Sequence, residues 1–428
     1  MILEFLITAT LALLPTGVET PFQDTCRTLE ECIETGISEG FEVRRLKVDL
    51  PRAEEVSKLS VLDILPAGEV SAGHEWQFTG KIAGTVSSFT FSAGAGLSAN
   101  AVAEGIFIIK GAGAEVIRSR AALDEAVLGT ALEITQEYLR LLLAMQSCKN
   151  ADSSLSAIKL LREKTATEVE VGKSSRGTLA EIEAQVASER AELVKAQGEI
   201  RSAAMALAES MNLSPQSKIS VLPPPEGYIP SVSDLPDEAQ IHLYIENHPS
   251  LKAADASLES ALQQRRAALV GLYPQIRLGV DYVGEGKKFM RNGTPAMNLG
   301  VTIPIADGSA RLRQARNSKS QVRTKQLEIE AVRRKLEIEI RGEILEAVSS
   351  WENYTACEEN LNAMLLSFHI CEAKFEAGAI SGSDYITSRK NYLNALAQYW
   401  QARYNYIFRM KCISIRMNHE SLPKKISL

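Results

Sequence analysis

Val169-Glu170-Val171-Gly172 and Phe375-Glu376-Ala377-Gly378 are two copies of one short stretch, 206 residues apart. Each is followed by a serine (Ser175, Ser381) and then by a long amphipathic run. Upstream, Leu65-Pro66 returns as Tyr273-Pro274 at an offset of 208. Residues 28–66 align without a gap to residues 236–274, with Ile33 on Ile241 and Ile37 on Ile245. A chain of 428 residues that writes one unit twice is a repeat architecture. The expected division is a candidate signal peptide and N-terminal extension at 1–27, repeat 1 at 28–213, a Pro-rich linker at 214–235, repeat 2 at 236–414 and a C-terminal tail at 415–428.

Within each copy the period of the apolar residues changes twice. Before the proline the pattern is helical, and Pro51 predicts a kink or a helix restart because an interior proline removes a hydrogen bond. After the proline the period falls to two. Val70, Ala72, Trp76 and Phe78 alternate with polar residues, then Phe89, Phe91, Ala93, Ala95 and Leu97 do so. In the second copy Leu278, Val280 and Tyr282 alternate in this way, then Leu299 and Val301. His74 falls on the apolar side of its strand. One such strand reads as half-buried sheet. Four of about nine to eleven residues, with small or polar residues on one face, match the length that crosses a bilayer when tilted.

Beyond the strands the pattern is helical again, from about Ala114 to Gly172 and from about Ala310 to Gly378. Helices of that length would be on the order of 90–100 Å long. After the glycines come heptads: Leu179, Val186, Leu193, Ile200 and Leu207 in one copy, Tyr385, Tyr392, Tyr399 and Tyr406 in the other. Ile182, Ala196 and Ala203 accompany the first ladder, and Ala395 and Ala402 the second, which is coiled-coil periodicity with close approach.

The bulk numbers agree. Hydrophobic residues make up 45% and aromatic residues only 6%, which favours long helices over compact mixed cores. A net charge of −6 argues against nucleic acid as a partner, and the run from Arg311 to Lys325 reads as a solvated helix face. The apolar N-terminus up to Leu14, followed by Pro15 and Gly17, resembles a signal peptide but lacks a basic start and carries Glu4. Cys26 and Cys32 could form a disulfide if the chain is exported, whereas the other cysteines fall in helical patterns. The five histidines are scattered and no HExxH or P-loop occurs, so no catalytic residue, metal or cofactor is expected.

Four strands cannot close a barrel, and an open sheet edge finds no hydrogen-bond partner in lipid. Strands from other copies must supply closure, and a cyclic trimer would give twelve strands, wide enough for a lumen.

The gapless pair of helix–proline–strand starts, His248-Pro249-Ser250-Leu251, the hairpin glycines, Asn298-Leu299-Gly300-Val301-Thr302-Ile303-Pro304-Ile305 and the run from Phe375 to Phe408 resemble the TolC-type outer-membrane efflux proteins. The resemblance covers roughly residues 28–414 and departs from the second copy at Phe41, which stands where that copy has Pro249. It implies a mainly α fold with transmembrane β and an internal two-fold repeat. Long coiled-coil helical hairpins would form a periplasmic α-barrel, and four strands per protomer a 12-stranded trimeric outer-membrane β-barrel. The function implied is that of the passive exit duct of a tripartite efflux or type I secretion system. Its partners would be a homotrimer, outer-membrane lipid, a periplasmic membrane-fusion adaptor and an inner-membrane pump of RND, ABC or MFS type. The competing reading is a periplasmic coiled-coil adaptor or envelope structural protein, which needs one hairpin rather than two.

In that frame Val171, Gly172, Ser175, Ala377, Gly378 and Ser381 are expected at adaptor-docking hairpin tips, although both glycines are also what any sharp helix reversal needs. Asp384 matches a family aspartate that narrows the tunnel mouth, and it is equally a helix N-terminal cap residue. Thr387 stands where the family has a second aspartate, and Glu181 occupies the corresponding position of the first copy. Val70, Trp76, Phe78, Phe89, Phe91, Leu278, Val280, Tyr282, Leu299 and Val301 are expected to face lipid.

Overall fold

The structure, a computed structural model, describes residues 26–78, 85–172, 174–214, 219–224, 228–285, 294–303 and 309–417. The candidate signal peptide and the tail from 418 onward lie outside the described residues.

The order of elements is written twice. The first copy holds helices α1 (Leu29–Glu39) and α2 (Phe41–Leu59), a 3₁₀ turn at Ser60–Ile64, strands β2 (Ala67–Phe78) and β3 (Thr85–Ser98), and helices α3 (Ala99–Glu170) and α4 (Arg176–Ser210). The second holds α5 (Glu238–Asn247), α6 (Pro249–Val270), β5 (Gln275–Glu285), β6 (Thr294–Thr302), α7 (Ala310–Glu376) and α8 (Gly382–Met417). Two short strands, β1 (Cys26–Arg27) and β4 (Ser220–Val221), stand outside this scheme and pair in parallel.

Local chemistry sets the boundaries. Both copies open on a capping box. Glu31 N–H donates to Thr28 Oγ1 at 3.3 Å while Glu31 accepts from Thr28 N–H at 2.9 Å. Asp237 and Gln240 exchange the same pair of bonds at 2.8 and 3.1 Å. At the start of α6, Pro249 occupies the first turn, where its missing N–H costs nothing, and His248 Nδ1 accepts from Ser250 N–H at 3.1 Å. Helix α4 ends at Asn212, whose φ of 54° supports a Leu213 N–H to Ala208 carbonyl bond of 2.8 Å.

Three expectations change. Helix α2 runs through Pro51 without a restart, which narrows the expectation to a kink. Helix α3 begins directly after β3, at Ala99 rather than near Ala114, because the alanine- and glycine-rich stretch that follows has no strong breaker and winds into the helix. Cys32 is a free, buried thiol, so it is not paired with Cys26. Burial pushes that thiol up to about 11.

The chain divides into two compact units, each drawing on both copies. The first comprises the described part of Met1–Gly36, with Glu133–Ile229 and Tyr354–Phe408. Its core joins both helical hairpins: Leu155, Ile158 and Leu161 of α3, Ile182 of α4 and Tyr385 of α8, with Phe368, Phe375 and Ile380 packed against them. The buried seam of α4 is the one carrying Ile182, Ala196 and Ala203, since small residues let the neighbouring helix approach. The tyrosine ladder of α8 meets a second aromatic row on α7. Tyr406 stacks on Tyr354 at 6.3 Å, Tyr392 on Phe368 at 5.4 Å and Tyr385 on Phe375 at 4.8 Å. Part of the Pro-rich stretch between the copies is also held in this unit: Tyr138 donates its hydroxyl proton to the Leu222 carbonyl at 2.6 Å, and Val221 is buried. Proline-rich backbone is already extended, which suits it to a short added strand.

The second unit comprises Ile37–Leu132, Pro230–Asn353 and the described part of Arg409–Leu428. It contains a core of Ile241, Tyr244, Ile245 and Leu251 against Leu336 and Ile340 of α7, and a four-stranded antiparallel sheet in the order β2-β3-β5-β6.

Candidate functional site

The sheet has two chemically distinct faces, and the register assigns every strand residue to one of them. Val70 pairs with Ala93, which pairs with Tyr282, while Leu97 pairs with Leu278 and Leu278 with Leu299. Phe91 stands opposite Ala72, Phe89 opposite His74, and Val301 opposite Ile276. Because strand side chains alternate, Val70, Leu278, Val280, Tyr282, Leu299 and Val301 of the expected lipid-facing set fall on one face, together with Met297, which pairs with Val280. The side chains of Trp76, Phe78, Phe89 and Phe91 lie outside the described residues. That face is open: Val70 is 72% exposed, Met297 and Leu299 each 74%. An exposed apolar surface of this kind marks a partner or a membrane. The other face carries Arg277, Asp281, Asn298 and several glycines and serines.

The hairpin turns belong to the first unit. At the second, Gly378 takes φ +70° and its N–H reaches the Phe375 carbonyl at 3.0 Å, while Ala379 N–H reaches that of Lys374 at 2.8 Å. This is the Schellman arrangement, which needs a left-handed residue at its centre. At the first, Gly172 takes φ +75° and bonds the Val169 carbonyl at 3.1 Å. The next helix is capped in each case. Ser175 Oγ accepts from Thr178 N–H at 3.0 Å, and Ser381 Oγ from Asp384 N–H at 3.2 Å. Asp384 reciprocates, its Oδ2 accepting from the Ser381 hydroxyl at 2.7 Å and from Ser381 N–H at 3.4 Å. The cap role of Asp384 is therefore realised within the chain, as a capping box. A methyl on Gly382 would meet the Thr178 methyl at 3.3 Å, so the two turns lie side by side. Val171, Ser175, Ala377, Ser381, Asp384, Thr387 and Glu181 are all exposed there. Thr387 returns its hydroxyl proton to the Ser383 carbonyl at 2.8 Å.

Sequence reasoning missed two features. The aromatic row Tyr354, Phe368 and Phe375 was readable from its seven-residue spacing. The other is a charge cluster in the second unit. Arg416 of α8 stands 2.8 Å from Glu343 and 2.9 Å from Glu339 of α7, and 3.5 Å from the Tyr244 hydroxyl of α5. Arg409 pairs with Glu346 at 2.6 Å. Burial holds the Glu343 carboxyl above its usual range, with Arg416 opposing. Burial and the Glu343 charge push the Cys412 thiol up to about 12. Nothing in the primary sequence announces this cluster, because its members come from three separate helices. The run from Arg311 to Lys325 is mostly solvated, with Lys325 on Glu328 at 2.6 Å and Arg311 donating to the Gly271 carbonyl at 2.6 Å. Among the described residues no group of three or more His, Cys, Asp or Glu could hold a metal ion, and no helix is long and apolar enough to cross a membrane.

Long helical hairpins, each preceded by a pair of strands and repeated once, define the class: the fold is that of the TolC-type outer-membrane efflux channels. Residues 240–408 match the family model described as outer membrane efflux protein. CusC is similar in structure, with a TM-score of 0.80 at 15% identity over 95% of each chain. The CmeC outer membrane channel of Campylobacter jejuni gives a TM-score of 0.79 at 14% identity, over 91% of this chain and 85% of that one. The MtrE outer membrane channel of Neisseria gonorrhoeae, in its open state, gives 0.76 at 17% identity, over 91% and 88%. No curated protein sequence matches the chain.

Proposed function

We propose that three copies of this chain form an exit duct, a twelve-stranded barrel in the outer membrane that continues as an α-barrel through the periplasm. Substrates delivered by a periplasmic adaptor and an inner-membrane pump would leave the cell through it passively, the pump supplying the energy.

The observation that carries this reading is the two-faced sheet. Its outer strands, β2 and β6, pair with no further strand among the described residues, while one face exposes Val70, Val280, Leu299 and Val301. In lipid that face is at home, but the free edges are not, because their backbone groups would find no partner. Edges of neighbouring copies pairing with one another resolve both conditions. At 9 to 14 residues, the strands are long enough to span the hydrocarbon when tilted. The efflux-family match over 240–408 and the likeness to proteins named as outer membrane channels support the same reading. Two hairpins rather than one speak against the adaptor alternative.

Cell fractionation followed by gel electrophoresis with and without boiling tests it. A heat-modifiable trimer in the outer-membrane fraction is the expected result. A soluble monomer or dimer would refute the duct.

A further inference from the structure

The polar face of the sheet carries its charges at defined places. By register, that face holds Arg277 and Asp281 on β5, whereas β3 and β6 place no charged residue there. Glu69, Gly94 and Asp281 form one row across three strands. Arg277 lies four residues back along β5, between Ser98 and Gly300.

Neither Asp281 nor Arg277 projects freely from the wall. A methyl group on Gly94 would overlap the Asp281 carboxylate, and one on Gly96 would come within 3.0 Å of Arg277 Nε. Both charged side chains lie flat over a glycine of the neighbouring strand. Asn298 of β6 donates its amide proton to Asp281 Oδ2 and fixes the carboxylate from the other side. A charge held in one place on a pore wall acts on every passing solute, while its recess keeps the bore clear.

We propose that Asp281, recessed over Gly94, sets a preference of the pore for cationic solutes, and that Arg277, recessed over Gly96, opposes it. The proposal rests on the reading of this sheet as the wall of a duct. Asp281 and Arg277 oppose each other on this face, and the chain's net charge of −6 favours cations.

The test is the full-length protein in planar bilayers under a KCl gradient, with the reversal potential as readout. The wild type is expected to prefer potassium over chloride. Asp281→Asn should lower that permeability ratio by about twofold or more, and Arg277→Gln should raise it. Gly94→Ala, which lifts the carboxylate off the wall into the bore, should lower single-channel conductance. Pores with unchanged permeability ratios in both charge variants would overturn the proposal while leaving the duct intact. A wild-type protein that inserts no pores at all would overturn the duct itself and the proposal with it.

Discussion

Arg416, one residue from the end of α8, places its Nη2 2.8 Å from a carboxylate oxygen of Glu343 on α7. The pair is largely shielded, with side-chain exposures of 15% and 20%. It fastens the last turns of α8 to α7, with Tyr244 of α5 and Glu339 of α7 completing the set. Removing one partner of a shielded pair leaves the other charge uncompensated. Arg416→Leu is expected to destabilise the second unit by about 2–4 kcal/mol, read as earlier proteolysis or melting of the solubilised protein.

The same pair gives a pH signature. Burial raises the Glu343 pKa above the usual 4.5, so the folded protein holds that proton to higher pH than the unfolded chain does. The unfolded state then binds fewer protons between the two values. Stability contributed by the protonated form is present below 4.5 and is lost as pH climbs through the folded pKa. Glu343→Gln removes this term. Thermal melts across a pH series should show the wild type losing stability relative to the variant as pH rises through that window. Parallel curves for the two proteins would exclude the assignment.

Gly378 and Gly172 stand at φ +70° and +75°, where a side chain is strained. Gly378→Ala should cost about 1–2 kcal/mol, and Gly378→Asn distinctly less, because asparagine tolerates this conformation. Docking at the turns is a separate property. Val171→Asp, at a position 69% exposed, should leave the melting temperature unchanged and weaken cross-linking to an adaptor. If cross-linking persists, the first turn is only a turn.

Asp384 closes a capping box with Ser381, so Asp384→Ala should destabilise the start of α8 by about 0.5–2 kcal/mol. If three copies also bring this carboxylate to the mouth of a tunnel, the variant additionally loses cation block in bilayer recordings. Asp384→Ser separates the two roles: it keeps a side-chain acceptor for the cap and discards the charge.

Val280 lies mid-strand on the apolar face and is 51% exposed. A charge on a lipid face near the midplane costs roughly 2–4 kcal/mol. Val280→Arg should therefore depress the yield of heat-modifiable trimer, while Asn298→Ser on the opposite face should not. Equal yields would reverse the inside–outside assignment.

Much of this molecule is legible before folding. Period two against period seven separates strand from helix because side chains repeat every second residue in one and every three to four in the other. The glycine at each hairpin and the serine after it are local demands of helix ends, so Gly172, Ser175, Gly378 and Ser381 announce their turns from sequence. The two faces of the sheet were likewise written in the alternation from Leu278 to Tyr282. The start of α3 was harder to read, since Ala99 follows β3 with no breaker between them.

What tertiary structure alone decided is who meets whom across long separations. Arg416 reaches Glu343 and Tyr244 from different helices, and no local pattern encodes that encounter. The recess of Asp281 over Gly94 is of the same kind: the sequence contains both residues, but only strand register lays the carboxylate on the glycine. Element type follows from neighbours along the chain, whereas charge pairing and close approach follow from neighbours in space.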